Sequence, residues 1–378
     1  MIDLGIFTVP LLGALSVFLV AFFTGDSISF DAISTPADMQ WNGYDSTVVT
    51  RMLMDELRDL NEDAQSEASG LTVDPSYVDE SLGQYADYFG IGKLVDTTRN
   101  LVGANQWFIS SEVTDANGKI AYAARLFTPK SDEPVDTVRV EGDPANPQPM
   151  LRDAAIKLLT RISPYIVALH YFKLETAQYT KAEEDKAPAA KDRWTYPTPR
   201  EVLRLHIENP PPDDNYLAYD LIGRMHRFRA ERDTDLSPEQ RHQELLDAVD
   251  NLTAALRQNP DFLFTNFTLA AVYADLGDHA NSDAFFARTV RIDPNFLPAR
   301  EHWARSLAAR EHLREAVYQY VAAVEIAPDD PVLRDKLADL YFRLNRPDAA
   351  LTQWQRAEFL DPTNGTTRQR LKKFAPQP

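Results

Sequence analysis

The 378-residue chain reads as an α+β protein in three parts: an amino-terminal transmembrane helix, a small α/β domain and an all-α superhelical array. Three observations predict this. Leu4 to Phe23 runs 20 residues without a charge; Asn117-Gly118 sits between two alternating apolar/polar runs; and Pro260, Pro294, Pro328 and Pro362 recur every 34 residues. The corresponding parts are an anchor over 1–26, an α/β domain over 27–180, a linker over 181–199 and an array with a carboxyl-terminal capping helix over 200–378.

Composition narrows the function classes. A hydrophobic fraction of 44% with 19 Phe and 15 Tyr supplies ample core. The net charge of −18 repels phosphate backbones, so nucleic acid is not an expected ligand. There is no cysteine, which excludes disulfides, thiolate catalysis and thiolate metal sites.

The segment LGIFTVPLLGALSVFLVAFF matches the ~30 Å hydrocarbon layer as a helix. A signal peptide would carry a basic leader and small residues at a cleavage site, whereas only MID precedes this run and VAFFTGDS closes it. The first basic residue is Arg51, while Asp26, Asp31 and Asp38 follow the span. The expectation is a single pass through the inner (plasma) membrane with the bulk of the chain on the exported, periplasmic side.

In the second part, SISFDAI (Ser27 to Ile33) alternates as a half-buried strand does. Asp45 can cap a helix running through Leu60, with Val49, Met52, Leu53, Leu57 and Leu60 as its apolar stripe. A shorter helix is expected across Gly92 to Leu101. A two-residue turn at Asn117-Gly118 would place Val113 opposite Tyr122, Ser111 opposite Ala124 and Ile109 opposite Leu126, all on one face. A third strand from Thr137 and a long helix from Leu151 to Glu175, bent at Pro164, complete the unit. In that helix Ile156, Leu159, Ile162, Ile166, Leu169 and Phe172 make the buried side. With YDSTVVTRMLMDELRDL and WFISSEVTDANGKIAYAARLF in this order, the region resembles the TolB-type amino-terminal α/β domain that precedes repeat arrays in bacterial membrane-anchored proteins. That resemblance implies a role in recognition or packing.

The prolines of the third part close helices, because proline lacks a backbone donor and restricts the residue before it. Between them the same slots recur: Leu269, Ala270 and Tyr273 with Ser282, Phe286 and Thr289; Trp303, Ala304 and Leu307 with Ala316, Tyr320 and Ala323; Leu337, Ala338 and Tyr341 with Ala350, Trp354 and Ala357. Large side chains facing small ones let paired helices approach closely. A fourth, altered copy carries Tyr219, Ile222 and Gly223, then Ala248, Leu252 and Ala255, with about 13 extra residues around Ala230 to Arg241 expected to lengthen its loop. The period and slots resemble the tetratricopeptide repeat (TPR). Gly277 and Asn345 fall at the turn position that needs a left-handed backbone, and Glu311 departs from that pattern.

This resemblance implies that ligands lie along the first helices. The inward positions there are Phe264, Phe267, Ala271 and Asp275, then Glu301, Arg305 and Ala309, then Asp335, Asp339 and Arg343. The Lys/Asn/Arg set by which the family grips a terminal carboxylate is not matched. The groove reads as apolar at one end and acidic at the other, which favours a basic or amphipathic protein segment.

Chemistry is harder to find. Seven histidines are scattered, with no pair at i,i+4 and no HExxH; FGIGKLVD lacks the residues of a phosphate-binding loop, and there is no GxSxG. No catalytic, cofactor-binding or metal residues are therefore assigned. The expected function is a membrane-anchored interaction scaffold, assembly factor or accessory subunit of a membrane complex, binding other proteins through the array and the membrane through 4–23. The alternative is an enzyme or ligand-processing module within 27–175.

Overall fold

The computed structural model describes residues 27–65, 72–74, 106–116, 118–128, 131–185, 194–208 and 215–374. The chain divides into two compact units, the first reaching Asp192 and including Tyr196–Asn209, the second comprising Arg193–Thr195 and everything from Pro210. The expected transmembrane segment at 4–23 and the helix across Gly92–Leu101 lie outside the described residues. Among those described, no helix is long and apolar enough to cross a membrane.

The first unit runs β1 (Ser27–Phe30), α1 (Ala37–Trp41), α2 (Ser46–Gln65), β2 (Thr72–Asp74), β3 (Gln106–Ala116), β4 (Lys119–Thr128), β5 (Ser131–Gly142), α3 (Gln148–Ile162), α4 (Pro164–Glu184) and α5 (Pro197–Glu208). The sheet order is β2-β1-β3-β4-β5, with β1 parallel to both of its neighbours and β3 to β5 an antiparallel meander. The hairpin register is the one the Asn-Gly turn dictates: Val113 opposite Tyr122, Ser111 opposite Ala124, Ile109 opposite Leu126. Gly118 has φ +81°, the left-handed backbone that a two-residue hairpin turn requires. Ile109, Val113, Tyr122, Ala124, Leu126, Val138 and Val140 are all buried, so the alternation sorts one face of the meander inward.

Asp45 does cap α2, its Oδ1 accepting from the Val48 N–H at 2.9 Å, an arrangement that contributes about 1 kcal/mol. Val49, Leu53, Leu57 and Leu60 are buried along one stripe, while Met52 is only half-buried. The predicted long helix is two helices. Proline strips a donor and pushes Ser163 out of the α region to φ −146°, so the chain breaks there; α3 and α4 are separate rods, each packed on α2. The apolar side expected for it holds at Leu159, Ile162, Ile166, Leu169 and Phe172, and Ile156 is half-buried. α4 continues into the expected linker, and α5 packs against α4 inside the first unit instead of opening the array at 200. Tyr196 fastens that junction, its ring tilted against Phe172 with centroids 4.9 Å apart and its hydroxyl 3.2 Å from Thr176 Oγ1.

The helices of the second unit are α6 (Asn215–Arg232), α7 (Pro238–Gln258), α8 (Leu263–Asp275), α9 (His279–Ile292), α10 (Leu297–Ala309), α11 (Leu313–Ile326), α12 (Pro331–Arg343), α13 (Pro347–Leu360) and α14 (Gly365–Phe374). Each period proline follows a C-cap residue that has left the helical region, at φ −128°, −133°, −126° and −132° for Asn259, Asp293, Ala327 and Asp361. The prolines also serve as acceptors. Side chains six residues on reach back to three of their carbonyls, Asn266 to Pro260 at 2.9 Å, Arg300 to Pro294 at 3.5 Å and Arg334 to Pro328 at 2.6 Å, and so tie each inter-repeat bend to the next helix.

Small residues meet large ones as the slots predict: Ala270, Ala304, Ala338, Ala316, Ala350 and Ser282 are fully buried beside Phe286, Tyr320 and Trp354. Glu311 adopts φ +63°, like Gly277 at +79° and Asn345 at +57°, so the three turns are alike although only two carry a residue suited to them. The same backbone bond closes each: Asp278 to Tyr273, His312 to Leu307 and Arg346 to Tyr341, at 2.9, 3.0 and 2.9 Å. In the altered first hairpin the extra residues lengthen the helices and leave the loop short. α6 and α7 have 18 and 21 residues against 13 and 14 in α8 and α9, and the turn is secured by a capping box between Ser237 and Gln240.

Candidate functional site

Most of the groups at the inward positions of the first helices are already engaged within the array. Phe264 packs edge-on to Phe296 at 5.7 Å; Phe267 does so at 5.4 Å and also meets Phe286 at 6.4 Å and His302 at 5.2 Å. Both are half-buried parts of the contact between successive repeats and leave only their margins to a partner.

The acidic positions are paired from one repeat to the next. Arg227 Nε lies 3.6 Å from Asp275, and Lys336 Nζ 2.6 Å from Glu301. Arg370 bonds Asp335 and, at 2.7 Å, Asp339. Thr367 Oγ1 donates to Asp335 at 2.8 Å, and Arg343 donates to the Ala308 carbonyl at 3.2 Å and to Glu311 at 2.9 Å. Burial pushes the Asp275 and Asp339 carboxyls up, opposed by Arg227 and Arg370. Burial also acts upward on Glu301, but the bond and charge of Lys336 outweigh it and hold that carboxyl below its usual range. The acidic end expected from the sequence is thus internally neutralised. A preference for a basic partner does not follow from it, because these carboxylates already have cations.

Arg305 is the exception. It is exposed, and its hydrogen bond goes to His302 at 2.9 Å; no carboxylate among the described residues lies within ion-pair distance of it. His302 is pushed down to about 4 by burial first and then by the charges of Arg305 and Arg227, so it is neutral at physiological pH. Both border a recess of about 230 Å³ whose lining includes Arg227, Ala271, Asp275, Ala309 and Arg310. Ala274, Phe286 and Ser306 add to the uncharged part of the lining, and its arginines outnumber its one carboxylate. Arg310 is spoken for, bonded to Asp283 at 3.1 and 2.7 Å. A second recess of about 490 Å³, lined in part by Asp283, Trp303, His312 and Tyr318, also belongs to the repeat array. Sequence reading placed Arg305 but passed over Arg227, Lys336 and Arg370. The signal available was opposite charge at a spacing of 35, one repeat plus one residue, as in Glu301 with Lys336 and Asp335 with Arg370.

No family model matches the chain, and no curated protein matches it. Several solved structures do. One is a thermophilic TPR protein from Thermus thermophilus, 17% identical over 55% of this chain and 97% of that one, with a TM-score of 0.37. Another is YrrB, a TPR protein with an unusual peptide-binding site, 17% identical over 58% and 98% of the two chains at 0.36. A third is MamA from Desulfovibrio magneticus, 20% identical over 40% and 82% at 0.33. All three scores fall below 0.5, and the array of paired helices stands on the period, slots and turns described above.

Proposed function

We propose that the chain is a membrane-anchored interaction scaffold, an assembly factor or accessory subunit of a membrane complex, that holds an extended segment of another protein against the first helices of its array. The carrying observation is the recess beside Arg305: an exposed guanidinium at a lining that also holds Ala271, Ala274, Ala309 and Phe286. Such a surface suits a segment bearing small apolar side chains and one acidic group. The uncharged run at 4–23 would anchor the chain, with its bulk on the exported side, and the first unit, in the manner of a TolB-type domain, would pack or orient.

A mild-detergent pull-down of the full chain beside a version truncated after 209 tests this, with mass spectrometry of the retained proteins. Membrane-complex subunits retained by the full chain and lost with the array are the expected result. Equal retention by both versions would refute the assignment of binding to the array.

A further inference from the structure

We propose that His226, Glu244 and Asp247 form a zinc-class divalent metal site that staples the two helices of the first hairpin. The site lies where the array departs from its period. Counting from the small residue of each first helix, Gly223, Ala270, Ala304 and Ala338, the third residue onward is large in the regular repeats: Tyr273, Leu307 and Tyr341. In the first hairpin it is His226. The lengthened α7 brings two carboxylates opposite that imidazole, Glu244 and Asp247, which are three residues apart and hence on one helix face.

The donor atoms of the three side chains all lie within 4.8 Å of one another. His226 Nδ1 and Glu244 Oε2 are 2.6 Å apart, and their side chains are only 13% and 12% exposed. The other oxygen of Glu244 accepts from Arg229 Nη1 at 2.7 Å, the kind of outer contact that orients a metal-binding carboxylate. Arg229 in turn has Asp233 at 3.6 Å.

One imidazole nitrogen and two carboxylate oxygens are the donor mixture of three-ligand zinc sites, which keep a fourth position for water. Calcium and magnesium prefer oxygen donors throughout and are disfavoured by the imidazole. At zinc bond lengths of about 2.0–2.1 Å, tetrahedral ligands stand about 3.3 Å apart, so side-chain rotations alone can close the set. Coordination through Nδ1 leaves the neutral ring's proton on Nε2; a protonated ring would release one proton on binding. The ligands come from two helices and are 18 and 3 residues apart in sequence, which is why a search for local spacings does not detect them.

The test is calorimetric titration of the metal-free full chain in mild detergent with zinc chloride, with melting temperature recorded alongside. The expected result is saturable one-to-one binding and a rise in melting temperature. Asp247→Asn keeps the His226–Glu244 and Arg229–Glu244 contacts intact and should weaken zinc binding by about ten-fold or more. His226→Gln should do the same, with Asp247→Asn decisive if that variant folds poorly, and His312→Ala, an exposed histidine elsewhere, should bind as the parent does. Absence of saturable zinc binding, parental affinity in Asp247→Asn, or equal binding of magnesium would overturn the site.

Discussion

Replacing Gly223 with alanine tests the packing that the altered first hairpin depends on. A methyl built at Gly223 would stand 2.5 Å from Leu252 Cγ, 2.8 Å from its Cδ2 and 3.3 Å from the Ala248 carbonyl oxygen. Ordinary carbon contacts lie near 3.5–4.0 Å, so Leu252 would have to retreat by about 1 Å. It has nowhere to go: it is fully buried among Ala230, Leu245, Ala248, Leu269 and Val272. Overpacking of this kind costs about 1–3 kcal/mol, while alanine in place of glycine inside a helix returns up to about 1 kcal/mol. Gly223→Ala should therefore destabilise the array by about 1 kcal/mol. Leu252→Ala alone leaves a cavity and should cost about 2–5 kcal/mol. In the double variant the new methyl occupies part of that cavity and meets no clash, so the two changes should couple by about 1–3 kcal/mol. Urea unfolding of the four proteins, followed by helical circular dichroism, reads the cycle, with the transition of the second unit resolved from that of the first. Additivity to within about 0.5 kcal/mol, or a stabilised Gly223→Ala, would refute the close approach of α6 and α7 at this point.

The inter-helix turns give a reciprocal pair. Gly277→Ala, at φ +79° with open space around the added methyl, should lose about 1 kcal/mol from backbone strain alone, whereas Glu311→Gly should be neutral or slightly stabilising, and the opposite order in thermal melts would sink the shared-turn argument. The double variant Phe264→Ser/Phe267→Ser should lower the melting temperature of the array, because both rings join successive repeats; an unchanged melt would return them to the role of free partner contacts. For His302, the folded pKa of about 4 lies below the unfolded value near 6.5, so the unfolded chain takes up the proton first and stability falls as pH drops from about 6.5 towards 4. Asp275, raised by burial, works in the opposite sense at the acid end. His302→Gln should flatten the slope over that window in denaturation series run from neutral to acid pH, and an unaltered slope would place the titrating group elsewhere. Arg370→Met should loosen α14 from the array by leaving Asp335 and Asp339 side by side without their shared cation, seen as faster amide exchange in 365–374; parental exchange there would show that Phe374 on Trp354 holds the cap unaided.

What could be read in advance follows from the range of each interaction. The hairpin register rests on two adjacent residues that accept left-handed backbone, and the repeat boundaries rest on proline's own geometry, so both are local and both were legible. Pro164 was legible as a disturbance but not in its extent: Ser163 leaves the α region altogether, and the two helices it separates each pack on α2. The left-handed backbone at Glu311 shows the converse. Its own side chain argues against it, and the turn is imposed by the helices on either side, which need the bond from His312 to Leu307 to close.

The proposed binding face was legible only as positions. A period says which residues point inward, but whether an inward acid is available to a partner depends on what the next repeat sets against it. That is why Glu301, Asp335 and Asp339 read as a partner's contacts and turn out to be bonded by Lys336 and Arg370, one repeat further along. The same reasoning makes Arg305 informative. Among the described residues it bonds no carboxylate, although its charge acts on Asp275 and Glu301. Its neutral neighbour His302 keeps it oriented towards the recess without cancelling its charge.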